Sequence, residues 1–215
     1  MKSVIILGAS GFGREVAWLI ERINKEAPTW NILGFLDDDE AIQGASVNGY
    51  SVLGRIEDSI RYPDAYYVCA IGAPAVRKNV VQRVKEMLPS AEFATLIDPS
   101  SIVSPTVSIG RGAIICAGSI VTVNVSIGEH AIINLACTIG HDAVLNDYTT
   151  LCPSVNVSGN VIIGAETEIG TGAQIIQGKT ICPHCIIGAG AVVIRDINEK
   201  GTYVGMPARP IERRR

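Results

Sequence analysis

The chain has 215 residues and a net charge of −3, so it lacks the basic surface typical of nucleic-acid-binding domains, and it fits one large domain or two small ones. Its 47% hydrophobic content includes no apolar run as long as the roughly 18 residues of a membrane span. Six cysteines do not indicate a disulfide framework, and the glycines after the first apolar run argue against a signal peptide, so we expect a cytoplasmic protein.

The first ninety residues alternate predicted strands with predicted helices. The segment SVIILG (3–8) is an apolar strand, and the glycine-rich turn GASGFG (8–13) leads into a segment with helical spacing of its apolar residues. The segments NILGFLDDD (31–39) and AYYVCAIG (65–72) are two further strands, and a second helix follows the latter. This pattern predicts a small α/β domain of the βαβ type, which is Rossmann-like.

Three positions near the ends of these predicted strands suggest a ligand site. Gly11, Asp37 and Gly72 would meet at the carboxyl edge of the sheet, where ligands of such folds bind. A glycine-rich turn before a helix also offers its backbone N–H groups to phosphate. The spacing G-x-x-G-x-G differs from the dinucleotide fingerprint, and the domain is too short for both halves of a dinucleotide fold. Together the three positions favour a nucleotide site over ordinary tight turns.

From Ile97 onward the chain repeats with a period of six residues. Steps of six from Ile97 to Val193 meet seventeen consecutive aliphatic residues, while glycine recurs at the second position of a hexad and small or β-branched residues at the fifth. This period fits neither an α-helix nor an alternating strand, but it fits a parallel β-helix. We predict that the aliphatic residues fill its interior and that the glycines relieve its turns.

One histidine is distinctive because a carboxylate follows it directly. His141 is the third residue of its hexad and Asp142 is the fourth, so both are predicted to lie near a turn. A neutral imidazole accepts a proton near pH 7, and Asp142 would orient the ring. The pair is therefore a candidate general base for acyl transfer, with an ordinary surface histidine as the alternative.

The other histidines and a cysteine pair suggest a weaker alternative, a zinc site of the carbonic anhydrase kind. His130 and His184 are both fourth residues of hexads, and CPHC (182–185) has the spacing of a metal-binding pair. The two histidines lie too far apart to share a metal within one chain, so ligands from two chains would be required. We therefore expect no metal, and we interpret Cys185 as a packing residue.

These motifs resemble the hexapeptide-repeat acyltransferases, and more narrowly the sialic acid O-acetyltransferase type, which includes enzymes that N-acetylate UDP-linked amino sugars. The resemblance covers nearly the whole chain. It is carried by GASGFG, GFLDDD, AIG with Arg77 beyond it, the hexads, GHD (140–142) and the segment GTYVGMPARPI (201–211). It implies a left-handed β-helix in which three hexads make one coil.

The domain organisation expected from this resemblance has three parts. Residues 1–90 would form the nucleotide-sugar-binding domain and residues 91–198 the acyltransferase β-helix. Residues 199–215 would form a closing segment and a basic tail that ends in Arg213–Arg215. Because the face of a β-helix is nearly flat, we expect a homotrimer in which a second subunit completes the active site, as in the resembling family.

The resemblance also implies roles for particular residues. His141 would be the general base and Asp142 its orienting partner. The nucleotide sugar would contact Ser10, Gly11, Phe12, Asp37, Asp38, Gly72 and Arg77. Acetyl-CoA would contact Thr150, Gly159, Thr171 and Ala189.

Gly159 has a particular expected role because of the eighteen-residue coil. It lies one coil from His141 at the same hexad position, which is a separation of about 4.8 Å along the stack. We expect this glycine to let a thioester approach the backbone and to offer its N–H as an oxyanion donor. The alternative is that it only relieves a tight turn.

The expected function is acetyl-CoA-dependent N-acetylation of a nucleotide-linked amino sugar. Two alternatives stay open: O-acetylation of sialic acid or a related surface sugar, and a scaffold that binds a nucleotide sugar without chemistry. Phe12, Ala73-Pro74 and Thr150 differ from residues common in relatives, which leaves the identity of the sugar open.

Overall fold

The computed structural model describes residues 1–211, which form two compact units that divide after Pro99. The division falls later than the predicted boundary at residue 90. A short strand, Glu92–Phe93, adds to the sheet of the first unit, and Asp98 pairs with Arg22 of the first helix, with 2.6 Å between Oδ2 and Nε. These contacts tie the segment after residue 90 to the α/β unit.

The first unit is a six-stranded sheet with two α-helices. The helices are α1 (Gly11–Glu26) and α2 (Pro74–Met87), and two short 3₁₀ helices cover Glu40–Ile42 and Ile56–Arg61. The strands are β1 (Lys2–Leu7), β2 (Trp30–Leu36), β3 (Ser46–Val47), β4 (Tyr50–Gly54), β5 (Tyr66–Cys69) and β6 (Glu92–Phe93).

The sheet has the strand order β3-β4-β2-β1-β5-β6, and all pairs are parallel except the β3–β4 hairpin. The central strands are apolar on both faces, as expected of a parallel sheet covered on both sides, and Val4, Ile5 and Ile6 are fully buried. The predicted Rossmann-like βαβ arrangement is confirmed. Sequence periodicity missed β3, β4 and β6; β3 and β6 have only two residues each, and Val52 is the one buried residue among the five of β4.

The hexads form the strands of a left-handed parallel β-helix, and each two-residue strand ends at the aliphatic residue of its hexad. Within residues 1–211 these strands are β7 (Leu96–Ile97), β8 (Ile102–Val103), β9 (Ser108–Ile109), β10 (Ile114–Ile115), β11 (Ile120–Val121), β12 (Ser126–Ile127), β13 (Ile132–Ile133), β14 (Thr138–Ile139), β15 (Val144–Leu145), β16 (Thr150–Leu151), β17 (Asn156–Val157), β18 (Ile162–Ile163), β19 (Glu168–Ile169), β20 (Gln174–Ile175), β21 (Thr180–Ile181), β22 (Ile186–Ile187) and β23 (Val192–Val193). The sequence period therefore predicted both the architecture and the register.

Each strand of the second unit pairs with the strand three hexads away, so one coil has eighteen residues. Thr138 lies opposite Asn156 and Ile139 opposite Val157, for example. The strands thus stack into three parallel sheets, in the orders β23-β20-β17-β14-β11-β8, β21-β18-β15-β12-β9 and β22-β19-β16-β13-β10. The aliphatic residues point inward, and Ile139 is 1% exposed.

The glycines at the second hexad position have a different purpose from the one predicted. A Cβ built on Gly140 would lie 2.6 Å from the backbone nitrogen of Gly159 in the next coil, so glycine allows the two backbones to approach. The left-handed turn residue is instead the fourth of most hexads. It is often not glycine, and Asp142 has a φ of 57°.

The closing segment forms a short hairpin at one edge of the β-helix. Strand β24 (Thr202–Val204) pairs in parallel with β22, and β25 (Arg209–Pro210) returns antiparallel to β24. The predicted basic tail, Arg213–Arg215, lies outside the described residues. No helix in residues 1–211 is long and apolar enough to cross a membrane.

Candidate functional site

The predicted His–Asp pair lies on the turn that follows β14. The distance between His141 Nδ1 and Asp142 Oδ2 is 2.8 Å, and the two side chains are 51% and 47% exposed. Hydrogen bonds from His141 and then from Asn124 lower the pKa of the Asp142 carboxyl below its ordinary value, so the carboxylate is ionised at neutral pH. Because an ionised carboxylate only accepts, the neutral imidazole carries its proton on Nδ1 and keeps a lone pair on Nε2.

Gly159 lies against the ring of His141, as the eighteen-residue spacing predicts. A Cβ built on Gly159 would lie 2.5 Å from Nε2 and 2.6 Å from Cε1 of His141. The absence of a side chain therefore makes room for the imidazole of His141. Within residues 1–211 the Gly159 N–H makes no hydrogen bond, so it keeps the capacity to donate to an oxyanion.

The hydrogen-bond partner of the Asp142 carboxylate was not identified from sequence. Asn124 Nδ2 donates to Asp142 Oδ1 at 3.2 Å, from the same hexad position one coil earlier. The arithmetic that paired Gly159 with His141 pairs Asn124 with Asp142, since each pair is eighteen residues apart. The signal was therefore present in the sequence.

The other residues predicted to bind acetyl-CoA lie on, or directly after, strands of a different sheet from the strand that precedes His141. Thr150 is on β16 and is 3% exposed, while Thr171 and Ala189 are exposed on the turns after β19 and β22. Strands β16, β19 and β22 belong to one sheet, and β14 belongs to another. A single chain thus groups these three residues with one another but not with His141.

The glycine-rich turn and Asp37 lie together at the carboxyl edge of the first sheet. Asp37 Oδ2 accepts the Ala9 N–H at 2.7 Å, and its Oδ1 accepts the Asp39 N–H at 2.9 Å. Gly8, with a φ of 97°, lies against Ala70 at the end of β5, so the ends of β1, β2 and β5 meet as predicted. The carboxylate of Asp37 thereby holds the turn that precedes α1.

The turn itself leaves backbone donors available at the start of α1. Ser10 and Gly11 are exposed and Phe12 is half-buried, and the Ser10 side chain does not cap the helix. The first turn of α1 has no acidic residue, so its N–H groups and the helix dipole present a positive end. Such an end suits a phosphate group.

Two residues predicted to contact the sugar nucleotide make hydrogen bonds within the protein, and of these Arg77 is buried whereas the Asp38 side chain is 45% exposed. Arg77 is 1% exposed and donates to the carbonyl oxygens of Ile71 and Gly72 at 2.6 and 2.8 Å, so it braces the loop after β5. Asp38 accepts the Ile56 N–H at 3.0 Å and a hydrogen bond from Arg83 at 2.8 Å.

The environment of Asp38 favours the charged carboxylate, which accepts two hydrogen bonds. Partial burial raises its pKa, but the hydrogen bonds from Arg83 and the Ile56 N–H outweigh burial and lower the pKa below its ordinary value. Arg83 also pairs with Glu57. Asp38 therefore joins β2 to α2 and the second 3₁₀ helix.

Residues 1–211 of one chain contain no group of three or more His, Cys, Asp or Glu residues that could hold a metal ion. His130 is 1% exposed and stacks on Tyr148 with 5.1 Å between ring centroids. Cys185 is fully buried, as its small hexad position predicts, and burial raises the pKa of its thiol to about 11. Its Sγ lies 3.5 Å from that of Cys182.

A parallel β-helix with a turn histidine, preceded by an α/β unit with a glycine-rich turn, places the chain in the class of hexapeptide-repeat acyltransferases. Residues 3–84 match the family described as PglD N-terminal domain. GDP-perosamine N-acetyltransferase of Escherichia coli O157:H7 is 33% identical over 150 residues, which are 69% of this chain and 66% of that relative. The match thus spans just under two thirds of the curated relative.

Several solved structures match nearly the whole chain. The H141N variant of perosamine N-acetyltransferase from Caulobacter crescentus, in complex with CoA and GDP-perosamine, is 27% identical with a TM-score of 0.89 and covers 99% of this chain and 98% of that one. The acetyltransferase domain of PglB from Neisseria gonorrhoeae, in complex with acetyl coenzyme A, is 32% identical with a TM-score of 0.87 over 98% and 99%. The chain belongs to the PglD-like family of hexapeptide-repeat N-acetyltransferases.

Proposed function

We propose that the protein transfers an acetyl group from acetyl-CoA to the amino group of a nucleotide-linked sugar. The observation that carries this proposal is the geometry of His141, whose Nδ1 is held by Asp142 while Nε2 stays available at an exposed turn. Family membership supports the reaction class, and the relatives named for GDP-perosamine support a 4-amino sugar as the acceptor.

The reaction needs one proton acceptor and no acyl-enzyme. The acceptor amine attacks the thioester carbonyl carbon, and Nε2 of His141 takes a proton from the amine nitrogen as the C–N bond forms. The tetrahedral intermediate then collapses by breaking the C–S bond, and the departing sulfur of CoA receives the proton. The Gly159 N–H is the candidate donor to the oxyanion.

The α/β unit is the proposed site of the nucleotide. The first turn of α1 at Ser10, Gly11 and Phe12 would bind phosphate, and Asp37 and Gly72 would border the rest of the ligand at the strand ends. Asp38 and Arg77 would act behind these residues, since both are already bonded within the protein. Their proposed contribution is to hold the edge of the sheet in shape.

We also propose a homotrimer with its active sites between subunits, as the family resemblance implies, and the placement of the predicted coenzyme residues supports a site shared by two chains. Thr150, Thr171 and Ala189 lie on one sheet and its turns, whereas His141 follows a strand of another, so one chain offers them no shared cleft. A second copy can place its own sheet beside His141. Exposed apolar residues near that turn, Val123 and Ile120, give the copies a surface to bury.

The oligomeric proposal is tested by light scattering together with activity. A trimer that loses activity on dilution to monomers agrees with it, and a fully active monomer contradicts it. A cytoplasmic location is also proposed, because the six cysteines form no disulfide within residues 1–211 and acetyl-CoA is the proposed co-substrate.

The reaction is tested by acetyl-CoA-dependent thiol release with matched pairs of acceptors. Each pair contains a GDP-, UDP- or dTDP-linked 4-amino sugar and its 4-hydroxy analogue. Turnover with the amino sugars alone supports N-acetylation. Turnover with the hydroxy analogues or sialic acid supports O-acetylation, and no turnover together with no binding of acetyl-CoA in calorimetry supports a non-catalytic scaffold.

A further inference from the structure

A column of polar side chains runs along the turn that carries His141. Thr106, Asn124 and Asp142 occupy the same hexad position in successive coils, eighteen residues apart. Thr106 Oγ1 accepts the Asn124 N–H at 2.9 Å, and Asn124 Nδ2 donates to Asp142 Oδ1 at 3.2 Å. The column ends at His141, whose Nδ1 lies 2.8 Å from Asp142 Oδ2.

The two oxygens of the Asp142 carboxylate have different hydrogen-bond partners. One oxygen accepts from Asn124 and the other accepts from His141, so the Asn124 amide fixes the rotation of the carboxylate about its own axis. This matters because both members of the His–Asp pair are about half exposed, and tight packing does not hold either side chain. A hydrogen bond from the neighbouring coil supplies the missing constraint.

We infer that Asn124 is a positioning residue for the general base, acting on His141 through Asp142. This inference rests on the proposed acetyl transfer. Asn124 anchors the Asp142 carboxylate in the orientation that keeps the Nδ1 proton of His141 bonded and directs Nε2 outward over Gly159. Asn124 itself touches neither substrate nor the reacting atoms.

The backbone explains why asparagine suits this position. Asn124 has a φ of 58°, in the left-handed region that glycine, asparagine and aspartate tolerate best. Glycine has no donor, and aspartate would place a second carboxylate opposite Asp142. Asparagine therefore combines the turn conformation with a hydrogen-bond donor to an anion.

Asn160 provides a matched control on the other side of Asp142. It occupies the same hexad position one coil later, has a φ of 56°, and is exposed. Its N–H donates to the His141 carbonyl oxygen at 2.8 Å, which a glycine would preserve, and within residues 1–211 its side-chain amide makes no hydrogen bond. Asn124→Gly and Asn160→Gly thus remove the same amide from the same backbone conformation.

The kinetic experiment compares these two variants with the parent protein. We expect Asn124→Gly to lower kcat by about tenfold, the effect of losing one hydrogen bond to a charged group, with the KM for acetyl-CoA unchanged. Asn160→Gly should keep the parent kcat. In an Asp142→Asn background, Asn124→Gly should change kcat by about twofold or less, because the carboxylate it positions is gone.

A spectroscopic measurement decides the point without catalysis. The ¹⁵N shifts of the imidazole nitrogens, with the His141 signals identified by their loss in His141→Gln, should show one tautomer protonated on Nδ1 in the parent and in Asn160→Gly. Asn124→Gly should show a mixture of tautomers. An unchanged tautomer and an unchanged kcat in Asn124→Gly would overturn the inference. Should no acceptor be acetylated by the parent, the proposed function fails, while the tautomer signature still decides the role of Asn124.

Discussion

The two units of the chain bring their polar groups together by different routes. In the β-helix, residues eighteen apart in sequence lie on neighbouring coils, so Asn124 meets Asp142 and His141 meets Gly159. In the α/β unit, the groups at the sheet edge come from chain positions without a common spacing, and strand order brings Ala9 and Asp37 together. Sequence distance therefore predicts neighbours in the β-helix, whereas topology must be known in the α/β unit.

The two units also differ in how deeply their polar groups are buried. The His141–Asp142 pair is about half exposed, and its replacement leaves no buried group unsatisfied. Arg77 and Asp98 of the α/β unit are each 1% exposed and make hydrogen bonds through a buried charged group, so their replacement removes these bonds from the protein interior. We therefore expect substitutions in the β-helix site to change rate and those in the α/β unit to change stability as well.

The largest expected effect is that of removing the base. His141→Ala should lower kcat by about 10²- to 10⁴-fold, the range for a positioned general base, with little change in acetyl-CoA affinity. Steady-state kinetics with the acceptor that the parent uses, together with calorimetric binding of acetyl-CoA, measure both quantities.

The control for this prediction is Asp142→Asn, which keeps the imidazole and should cost less. The unfolding midpoint of both variants should match that of the parent, because the His141–Asp142 pair is about half exposed. A His141→Ala protein with near-parent kcat would remove this histidine from the role of base.

Gly159→Ala should produce the next largest effect. The new Cβ would lie 2.5 Å from Nε2 of His141, so the ring must move by about 1 Å, and a displacement of that size costs about 10²-fold in rate. Its backbone is outside the left-handed region, so the fold should persist and the loss should appear in kcat.

Gln177→Ala is the matched control, since Gln177 occupies the same column one coil beyond Gly159 and is exposed. It should leave kcat unchanged. A second control places Gly159→Ala in the His141→Ala background, where no ring remains to be displaced and the substitution should add almost nothing. A further large loss in that background would show that the glycine serves the coenzyme as the sequence suggested.

Much of the fold and half of the site were predictable because they follow from periodicity. The period of six fixed the strands, the interior residues and the proximity of Gly159 to His141. The orientation of the imidazole over Gly159 depends on a side-chain rotamer, which spacing does not encode. The partner of Asp38, Arg83, depends on how α2 packs, which requires the tertiary arrangement.

The helical spacing around Arg77 indicated that this residue is buried. Arg77 stands three, four and seven residues before Val80, Val81 and Val84, which is the spacing of one helix face, and all three valines are buried. Helical periodicity therefore placed the arginine on the core side. The family motif of AIG followed by Arg77 had instead led to the prediction that Arg77 contacts the ligand.

Arg77→Met tests the stability side of the comparison. It removes the hydrogen bonds that the buried guanidinium donates to the carbonyl oxygens of Ile71 and Gly72, and we expect the free energy of unfolding to fall by about 2 kcal/mol. The KM for the nucleotide sugar should rise, since the loop after β5 loses its brace, while kcat at saturation should change little. Urea unfolding and steady-state kinetics measure these effects.

Arg83→Met is the control on the same helix. Arg83 is 30% exposed and pairs at the surface with Asp38 and Glu57, so its loss should cost about 1 kcal/mol or less. Equal costs for the two variants would contradict the view that burial, rather than charge, sets the contribution of Arg77.

The smallest expected effect is the pH dependence that one buried thiol in each unit gives to the free energy of unfolding. Burial raises the pKa of Cys69, at the end of β5, to about 12, and that of Cys137, at a fifth hexad position, to about 11. Because each folded pKa lies above the unfolded value near 9, the folded state keeps the proton that the unfolded state releases. The stabilisation is complete below pH 9 and is lost as the pH rises toward the folded pKa.

At pH 10 each thiol should therefore account for a loss of about 1.4 kcal/mol in the free energy of unfolding relative to pH 8. The measurement is urea unfolding at both pH values for the parent, Cys69→Ala and Cys137→Ala, and the difference between parent and variant isolates one thiol from tyrosine and lysine titration. If the two units unfold in one cooperative transition, each variant should remove the same pH dependence from it. Two transitions, each altered by only one variant, would show that the β-helix and the α/β unit unfold separately, and no difference from the parent in either variant would contradict the predicted protonation of the buried thiols.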